Sequence, residues 1–366
     1  MRELLLKLYK SDSKMKNALA IFIMTVFMIR FINLKAIKRT RDALVKAGES
    51  NHPFRLFWDI FIWNLIFGYD ASDYAEYHFI DKSRKERLSF ISFNEQVLFS
   101  RSINLNAKVD ILGNKHNTYK YFIEHYHREQ IMIKSEDARN TFKDFITRHS
   151  RFFYKPLDSS GGMGARIIDV KDKNPDSIFN EIVSSGACLL EEIIVQCGEM
   201  SRFNSSSINT VRTALVNTSD GIEMLFAEIR CGRAGSIVDN GRSGGILVPC
   251  DIKTGILCKY GYDGLGRKYS CHPDSKVVFE NYQVPKWQEI VDLSKELMSR
   301  IPNLKYVGWD IAITKDRLAI VEGNSRPMFG GLQGMHKTGF KYELLEILKK
   351  DRIPDNFRAK QQEIFK

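Results

Sequence analysis

The chain has 366 residues, of which 43% are hydrophobic and 27% are charged, and its formal net charge is +11. This composition is typical of a folded globular protein and excludes a disordered chain. The length allows two or three domains, each with its own core.

Positive charge is concentrated at the start of the chain. Residues 1–50 carry eleven Lys or Arg and four Asp or Glu, which gives a net charge of +7. This predicts either an anionic neighbour, such as a membrane surface, or an ordinary solvated basic helix face. No nucleic-acid reader module accompanies the charge, so a nucleic-acid partner is not expected.

Two apolar segments lie in or just after this basic region. The run 17–29 has thirteen residues between Lys16 and Arg30, whereas a bilayer span needs about 20. No small-residue cleavage site follows it, so we expect a buried helix or a helix in the membrane interface, not a cleaved signal. Residues 54–67 predict a second apolar helix that ends at Gly68.

From residue 114 onwards helices and strands are interspersed. The predicted helices are 115–128, 136–149, 175–184, 285–300 and 340–350. The predicted strands are 131–133, 151–155, 165–170, 187–194, 210–217, 222–230, 245–250, 306–314 and 318–322. Mostly antiparallel pairing of these strands predicts the α+β class. The six cysteines form no Cys-x-x-Cys pair, which predicts reduced thiols in a cytosolic protein.

A glycine-rich turn separates the strand 151–155 from the next strand. The residues that matter in it are Lys155, Ser160, Gly161, Gly162 and Gly164. Glycines let backbone N–H groups approach a polyphosphate, and the lysine adds positive charge. Taken alone, such a turn is equally a tight hairpin, and it is not a Walker loop, because a strand follows it. The strand–loop–strand context favours a flap that closes over a nucleotide.

The strand 187–194 ends in acidic residues that suit a nucleoside. Glu191, Glu192, Ile193 and Ile194 can offer backbone groups to an adenine edge, and the Glu199 carboxylate can take ribose hydroxyls. By itself this segment is equally an ordinary strand end.

Several arginines fall near strand ends in the second half of the chain. Arg212 lies in the predicted strand 210–217, and Arg230 ends the next strand, 222–230. Arg233 and Arg242 lie in the glycine-rich link that follows. Each can bind a phosphate or carboxylate with two hydrogen bonds, although a lone arginine is usually a surface charge. Substrate contact and surface charge therefore both stay open.

The strands 306–314 and 318–322 predict an antiparallel hairpin. If all three residues of the link 315–317 form the turn, Asp310 lies opposite Glu322, and Asn324 shares their face. Two carboxylates and an amide oxygen form a hard-oxygen site suited to Mg²⁺, and Arg326 just beyond suits a phosphate.

With these residues assembled, the chain resembles the ATP-grasp superfamily from about residue 115 to residue 331. The run Glu-x-Asn-x-Arg at 322–326 is the most specific part. Asn-Thr-Val-Arg at 209–212, Val-Asp-Asn at 238–240 and Gly-Trp-Asp at 308–310 resemble the sugar-transfer-associated branch, which is linked with bacterial surface-polysaccharide synthesis.

The resemblance implies an ATP-grasp fold, in which two α+β subdomains clasp ATP. It implies a basic helical region at 1–90, a linker and first subdomain with the glycine flap at 91–195, and a second subdomain with the metal site at 196–366. Lys115 and Lys155 are then expected to bind the phosphates of ATP. Mg²⁺, with Mn²⁺ as an alternative, is expected on Asp310, Glu322 and Asn324.

The implied reaction activates a carboxylate as an acyl phosphate and joins it to an amine, with Arg326, Arg212 and Arg230 at the transferring phosphoryl group. The expected partners are a carboxylate-bearing sugar or glycan, such as a uronic acid of a capsular or O-antigen polysaccharide, and an amine such as an amino acid. A kinase of a sugar or lipid-linked glycan, and a non-catalytic ATP-binding partner of a glycosyltransferase complex, stay open. The expected location is the cytoplasm, with peripheral contact at the inner face of the cell membrane left open.

Overall fold

The computed structural model describes residues 32–157, 162–239, 244–264, 266–329, 333–334 and 337–350. The apolar run 17–29 lies outside these residues. A buried helix and a helix in the membrane interface therefore both stay predictions for it.

The described chain begins with a helical region. Its helices are α1 (Leu34–Lys46), α2 (Pro53–Phe67), α3 (Ala71–Glu76), α4 (Arg84–Leu88) and α5 (Phe93–Ile103), with a 3₁₀ turn at Phe79–Asp81. Gly68 ends α2 in the left-handed conformation, with φ 72°, which confirms the predicted end of the apolar helix. Aromatic contacts hold the region together, because the ring of the fully buried Phe79 meets Trp63 and Tyr69 edge-on.

Three short helices lead from this region to the first sheet: α6 (Asp110–Gly113), α7 (Lys115–Tyr121) and α8 (Ile123–Tyr126). The prediction of one continuous helix over 115–128 is therefore wrong. The backbone leaves helical geometry at Phe122, with φ −119° and ψ 34°. This break accompanies the burial of the Phe122 ring against Trp309, at 5.4 Å between ring centres.

The first sheet is four-stranded and antiparallel, in the order β1-β4-β2-β3. Its strands are β1 (Gln130–Ile133), β2 (Arg151–Pro156), β3 (Arg166–Asp169) and β4 (Cys188–Glu192). The helices α9 (Arg139–Arg148) and α10 (Pro175–Ser184) belong to its core cluster, in which the Phe142 ring contacts both Phe152 and Phe179.

The second sheet has seven strands in the order β11-β10-β5-β6-β7-β8-β9. They are β5 (Thr210–Thr218), β6 (Gly221–Cys231), β7 (Ile246–Cys250), β8 (Gly261–Tyr262), β9 (Lys268–Tyr269), β10 (Tyr306–Ile313) and β11 (Leu318–Asn324). The short helix α11 (Gly198–Ser201) precedes β5. Helix α12 (Trp287–Arg300) packs on one face, where the Ser294 and Thr213 hydroxyls lie 3.0 Å apart. The final helix is α13 (Lys341–Lys350). Every strand pair in the described residues is antiparallel, as the α+β prediction expected.

Buried amides join the helical region to the second sheet. The Asn104 Oδ1 atom accepts from the backbone N–H groups of Lys305 and Tyr306, and its Nδ2 donates to the carbonyls of Tyr306 and Ser325. The Gln333 side chain bonds to the backbone of Ile91 in the same way. The helices before residue 104 therefore brace the strands of the second sheet. The three-part division at 1–90, 91–195 and 196–366 stays a prediction.

The six cysteines are free thiols, as predicted. Within the described ranges, no helix combines the length and the apolar character needed to cross a bilayer.

Candidate active site

The site is built on the β10–β11 hairpin, whose register brings Asp310 opposite Glu322, as predicted. The expected three-residue turn is not what forms, however. The Thr314 N–H donates to the Arg317 carbonyl at 2.9 Å, so the turn has only two residues between them. A β-bulge then restores the predicted pairing, because Ile311 pairs with Ile320 and Asp310 pairs with Glu322, which leaves Val321 as an extra residue.

This bulge decides which face of the sheet carries Glu322. Trp309, Ile311 and Ile320 lie in the core under the sheet, so Asp310 points to the other face. In an unbroken register Val321 would lie opposite Asp310, and Glu322 would point into the core. With the bulge, Glu322 shares the face of Asp310, and Asn324, opposite Gly308, shares it as well.

Four charged residues cross this face on neighbouring strands. Asp310 is opposite Glu322 on one side and Arg212 on the other, and Arg212 is in turn opposite Glu228. One edge of the Arg212 guanidinium donates to both carboxylate oxygens of Asp310, from Nε to Oδ1 and from Nη2 to Oδ2, the latter at 2.5 Å. Arg230 also approaches this carboxylate, with 3.6 Å between its Nη1 and Oδ2. Asp310 is therefore held between two arginines.

The two buried carboxyls of this row have opposite pKa shifts. Burial would raise the pKa of Asp310, but Arg212 and Arg230 outweigh it and hold that pKa below its ordinary value. Burial raises the pKa of Glu228 above its ordinary value, because Arg230 and Arg212 only partly oppose it. The Glu228 Oε2 atom makes no hydrogen bond to any described residue. Asp310 is thus the firmly ionised member of the pair.

Glu322 is the less buried counterpart of Asp310 in the row. It is half-buried, and within the described residues its carboxylate forms no hydrogen bond or ion pair. The oxygen donors on this face are those that Mg²⁺ prefers, and one of the two carboxylates still lacks a positive partner. The residues present therefore fit a magnesium ion at Glu322, with Asp310 and Asn324 as further oxygen ligands.

Across the cleft, Glu191 fixes Lys155. The Lys155 Nζ atom lies 2.8 Å from Glu191 Oε2, and Arg128 Nε lies 3.0 Å from the same oxygen. Burial alone would raise the pKa of Glu191, but Arg128 and Lys155 lower it to about 2. The side chain of Glu191 is thus a buried anion that positions the lysine.

The two sheets enclose a cleft between these groups. Its polar wall consists of Lys115, Lys155, Glu191, Glu192, Thr210, Arg230, Asp239, Asp310 and Glu322. Its apolar wall consists of Phe153, Ala165, Ile193, Ile194, Ile208, Ile237, Val238 and Val321, with Gly162 at the flap. The cleft is therefore amphipathic: a base would contact aliphatic side chains, and phosphates would contact lysines.

Gly162 brings the flap close to the opposite wall. Its φ is 77°, and a Cβ atom there would lie 3.0 Å from Val238 Cγ1. A side chain at this position would therefore be strained and would also press on the 237–239 segment. Glycine allows the flap to approach the cleft.

The predicted site residues divide into three groups. Those that line the cleft are Lys115, Lys155, Gly162, Glu191, Glu192, Ile193, Ile194, Arg230, Asp310 and Glu322. Those that the structure describes outside the lining are Gly164, Glu199, Arg212, Asn324 and Arg326. Ser160, Gly161, Asn240 and Arg242 lie outside the described residues.

Two of the described arginines have partners that sequence reasoning did not foresee. The Nε and Nη2 atoms of Arg212 donate to Asp310, while the same two atoms of Arg233 donate to Asp274, at 2.7 Å from Nε. The role of Arg212 at a phosphoryl group stays a prediction.

Sequence reasoning missed four polar residues around the cleft. Arg128 contacts Glu191, and Glu228 lies beside Arg230, with 3.4 Å between Glu228 Oε1 and Arg230 Nε. Thr210 and Asp239 pair at the rim, with 2.5 Å between the hydroxyl and the carboxylate. Of the four, only Asp239 lies in a recognisable short motif, Val-Asp-Asn at 238–240. The positions of the other three at the site follow from contacts between strands that are distant in sequence.

The family model for sugar-transfer associated ATP-grasp proteins matches residues 94–349, well over half of the chain. The chain belongs to the sugar-transfer associated ATP-grasp family. Both the predicted resemblance and the predicted ATP-grasp fold, with a helical region before it, are thereby confirmed. Among curated proteins, no sequence matches this ATP-grasp chain.

Several solved ATP-grasp structures are similar at low identity. The ATP-grasp ligase PsnB, complexed with a phosphomimetic variant of minimal precursor, Mg and ADP, is 13% identical over 70% of this chain and 68% of its own, with a TM-score of 0.42. D-alanine-D-alanine ligase from Helicobacter pylori is 11% identical over 67% of this chain and 60% of its own, with a TM-score of 0.40. L-amino acid ligase from Bacillus licheniformis is 11% identical over 66% and 48%, also with a TM-score of 0.40.

Similarity at this level does not decide what this ATP-grasp chain binds or joins. The chain also spans less than two thirds of the length of the last two proteins. Substrates and partners therefore have to be argued from the cleft itself.

Proposed function

We propose that the chain is an ATP- and Mg²⁺-dependent ligase that activates a carboxylate as an acyl phosphate and joins it to an amine. The observation that carries the proposal is the pairing of Asp310 and Glu322 on the seven-stranded sheet, at a cleft to which the four-stranded sheet contributes Lys155. Anionic oxygen ligands facing a cationic group across an amphipathic cleft suit a metal–polyphosphate complex.

In this proposal the cleft binds ATP by its two kinds of wall. Lys115 and Lys155 contact the phosphates as point charges, and the buried Glu191 keeps Lys155 aimed into the cleft. The backbone of Ile193 and Ile194, just past the end of β4, offers its groups to the adenine edge. The subdomains at 91–195 and 196–366 then close on the nucleotide from opposite sides.

Asp310, Glu322 and Asn324 would hold the magnesium ion. When bound, the ion would supply positive charge that offsets the negative charge developing on ADP. Arg212 keeps Asp310 ionised and oriented, as their two hydrogen bonds support. Arg230 and Arg326 stabilise the transferring phosphoryl group.

The reaction proceeds in two balanced steps. A substrate carboxylate oxygen forms a bond to the γ-phosphorus while the bond to the bridging oxygen breaks, which releases ADP. The amine nitrogen then bonds to the carbonyl carbon, inorganic phosphate leaves, and the nitrogen loses a proton. The products are an amide, ADP and phosphate.

For the acceptor we propose a uronic acid of a surface polysaccharide or its precursor, and for the donor an amino acid or another amine. The association of the family with sugar transfer supports a glycan substrate. The cleft itself favours no particular sugar.

The test is an ADP-release screen of purified protein over pairs of uronates and amines, with Glu322→Ala as the blank. We expect ADP, free phosphate and an amide in equal amounts, and none of them with the variant. A stable phosphate ester without free phosphate would instead identify a kinase. Turnover in Glu322→Ala equal to that of the wild type would contradict the metal assignment.

A further inference from the structure

Helix α2 is apolar on two opposite faces. One face, with Leu56, Ile60 and Trp63, is buried in the aromatic core of the helical region. The opposite face exposes four large side chains at a spacing of four residues: Phe54 (77%), Trp58 (45%), Ile62 (43%) and Ile66 (64%). A helix that is apolar all round is normally buried on all sides, and a contiguous exposed apolar patch marks an interaction surface.

Aromatic side chains extend this apolar face along the helix. Phe57 and Phe61 are half-buried and stack on each other, with 6.4 Å between ring centres. The Trp58 ring meets both of them edge-on. Tryptophan and phenylalanine are the residues that favour the boundary between lipid headgroups and acyl chains.

Basic residues border the apolar face. The Arg41 guanidinium lies 5.9 Å from the centre of the Phe57 ring, which places helix α1 alongside it. The exposed cations of α1 are Lys35, Lys38, Arg39 and Lys46. Each of the two helices carries one acidic residue, and both are paired: Asp42 with Arg41 and Asp59 with Arg87.

We propose that α1 and α2 together form a docking surface for an anionic lipid bilayer. The exposed face of α2 lies at the headgroup–acyl boundary, and the cations of α1 contact the lipid phosphates. The burial of apolar side chains and the attraction of cations to anionic lipid both contribute to the free energy of membrane binding. A second copy of the chain is a poorer occupant, because it would bring two basic helices together. The inference is independent of the proposed ligase reaction.

The chain carries its own reporter for this contact. It has four tryptophans, and three of them are buried: Trp63 (6%), Trp287 (6%) and Trp309 (0%). The full chain is titrated with phosphatidylcholine vesicles with and without phosphatidylglycerol while tryptophan emission and acrylamide quenching are recorded. We expect a blue shift and protection from acrylamide with the anionic vesicles, weakened by added salt. Trp58→Phe should abolish the optical change while the protein still sediments with the vesicles.

Exposed substitutions separate the two contributions. Lys38→Gln combined with Arg39→Gln should lower partition into anionic vesicles on the order of tenfold or more. Phe54→Ser with Ile66→Ser should lower it as well and should also remove the emission shift. The matched control is Leu105→Ser with Val278→Ser, at positions that are 76% and 59% exposed elsewhere, and it should bind like the wild type.

Three results would overturn the proposal. The first is equal behaviour with anionic and neutral vesicles, or no binding to either. The second is protection of Trp58 that rises with protein concentration in the absence of lipid, which would identify a second copy as the occupant. The third is full protection of Trp58 at every dilution without lipid, which would mean that another part of this chain covers the face.

Discussion

At the scale of single residues, Glu191 is a fully buried carboxyl whose ionised form the fold stabilises. Its Oε2 atom accepts from Arg128 and Lys155, and its Oε1 atom accepts from Gln130 at 2.8 Å. Its pKa falls from the ordinary 4.5 to about 2. A carboxyl with a lowered pKa stabilises the folded state above its unfolded pKa, and this contribution is lost as the pH falls towards the folded value.

Glu191→Gln should therefore lower the free energy of unfolding by on the order of 3 kcal/mol at pH 7, because two cations lose their shared anion. The difference between variant and wild type should be smaller at pH 3.5, inside the window between 4.5 and about 2. Urea denaturation at the two pH values measures it. An equal difference in unfolding free energy at the two pH values would mean that Arg128 and Lys155 do not lower the pKa of Glu191.

The residue scale also shows what local patterns in a sequence reveal. Asp310 and Glu322 were predicted to pair because they lie twelve residues apart in one hairpin, although the turn and the bulge that pair them were not foreseen. The partners of Glu191 were not predictable, because Arg128 is 63 residues away in sequence. Contacts of that kind depend on strand order, which no short motif encodes.

At the scale of elements, strand β11 depends on a glycine next to the metal-ligand candidates. A Cβ atom on Gly323 would lie 2.5 Å from Trp309 Cζ3 and 2.7 Å from Leu112 Cδ2, both of which belong to the main core. Closely packed interiors do not absorb such an overlap without shifting the backbone.

We expect Gly323→Ala to lower the free energy of unfolding by about 1–3 kcal/mol. The shift of β11 should also weaken ATP binding, since Glu322 precedes the substituted residue. The control is Gly113→Ala, where a Cβ atom would meet nothing within 4 Å; its effect should stay within about 0.5 kcal/mol. Thermal and urea denaturation compare the two. An equal loss of unfolding free energy in the two variants would show that the close contact of Gly323 with Trp309 and Leu112 does not exclude a Cβ atom at this position.

Most elements that surround the cleft were predictable. Helix α10 has the predicted bounds. Strands β2 and β5 are one residue longer than predicted at one end, and β6 is one residue longer at each end. Alternating or apolar runs bounded by glycine and polar residues explain this success. The two-residue strands β8 and β9 were missed, because pairs so short carry no periodicity.

At the scale of the whole molecule, the helical region acts as a brace for the metal-bearing hairpin. Asn104 follows α5 and makes four hydrogen bonds to the backbone of residues 305, 306 and 325. These residues flank the two strands that carry Asp310 and Glu322. A buried amide with all of its bonds made to backbone groups fixes the strand ends relative to the helices.

Asn104→Ala should therefore destabilise the protein by about 3 kcal/mol, because buried backbone groups lose their partners. ATP affinity should fall at temperatures where the variant is still folded. The exposed Asn180, which bonds to Arg139, supplies the control: Asn180→Ala should change both quantities little. Denaturation and calorimetric titration give the two readouts. Normal ATP affinity in folded Asn104→Ala would mean that the hydrogen bonds of Asn104 do not affect the position of Asp310 and Glu322.

The family and the α+β class were predictable at this scale, because the run at 322–326 and the glycine turn are local motifs. The packing of the helical region on the second sheet was not. Gln333 and Tyr77 are hydrogen-bonded across 256 residues, and neither residue has a distinctive sequence context.

The central claim is that Glu322 and Asp310 form the magnesium side of an ATP cleft. Calorimetric titration with ATP, with and without Mg²⁺, tests it most directly on the wild type, on Glu322→Ala and on Asp316→Ala, which removes an exposed carboxylate from the same hairpin. We expect Mg²⁺ to strengthen ATP binding in the wild type and in Asp316→Ala, and Glu322→Ala to lose that gain by about tenfold or more. Unchanged Mg²⁺-dependent ATP binding in Glu322→Ala would contradict the account.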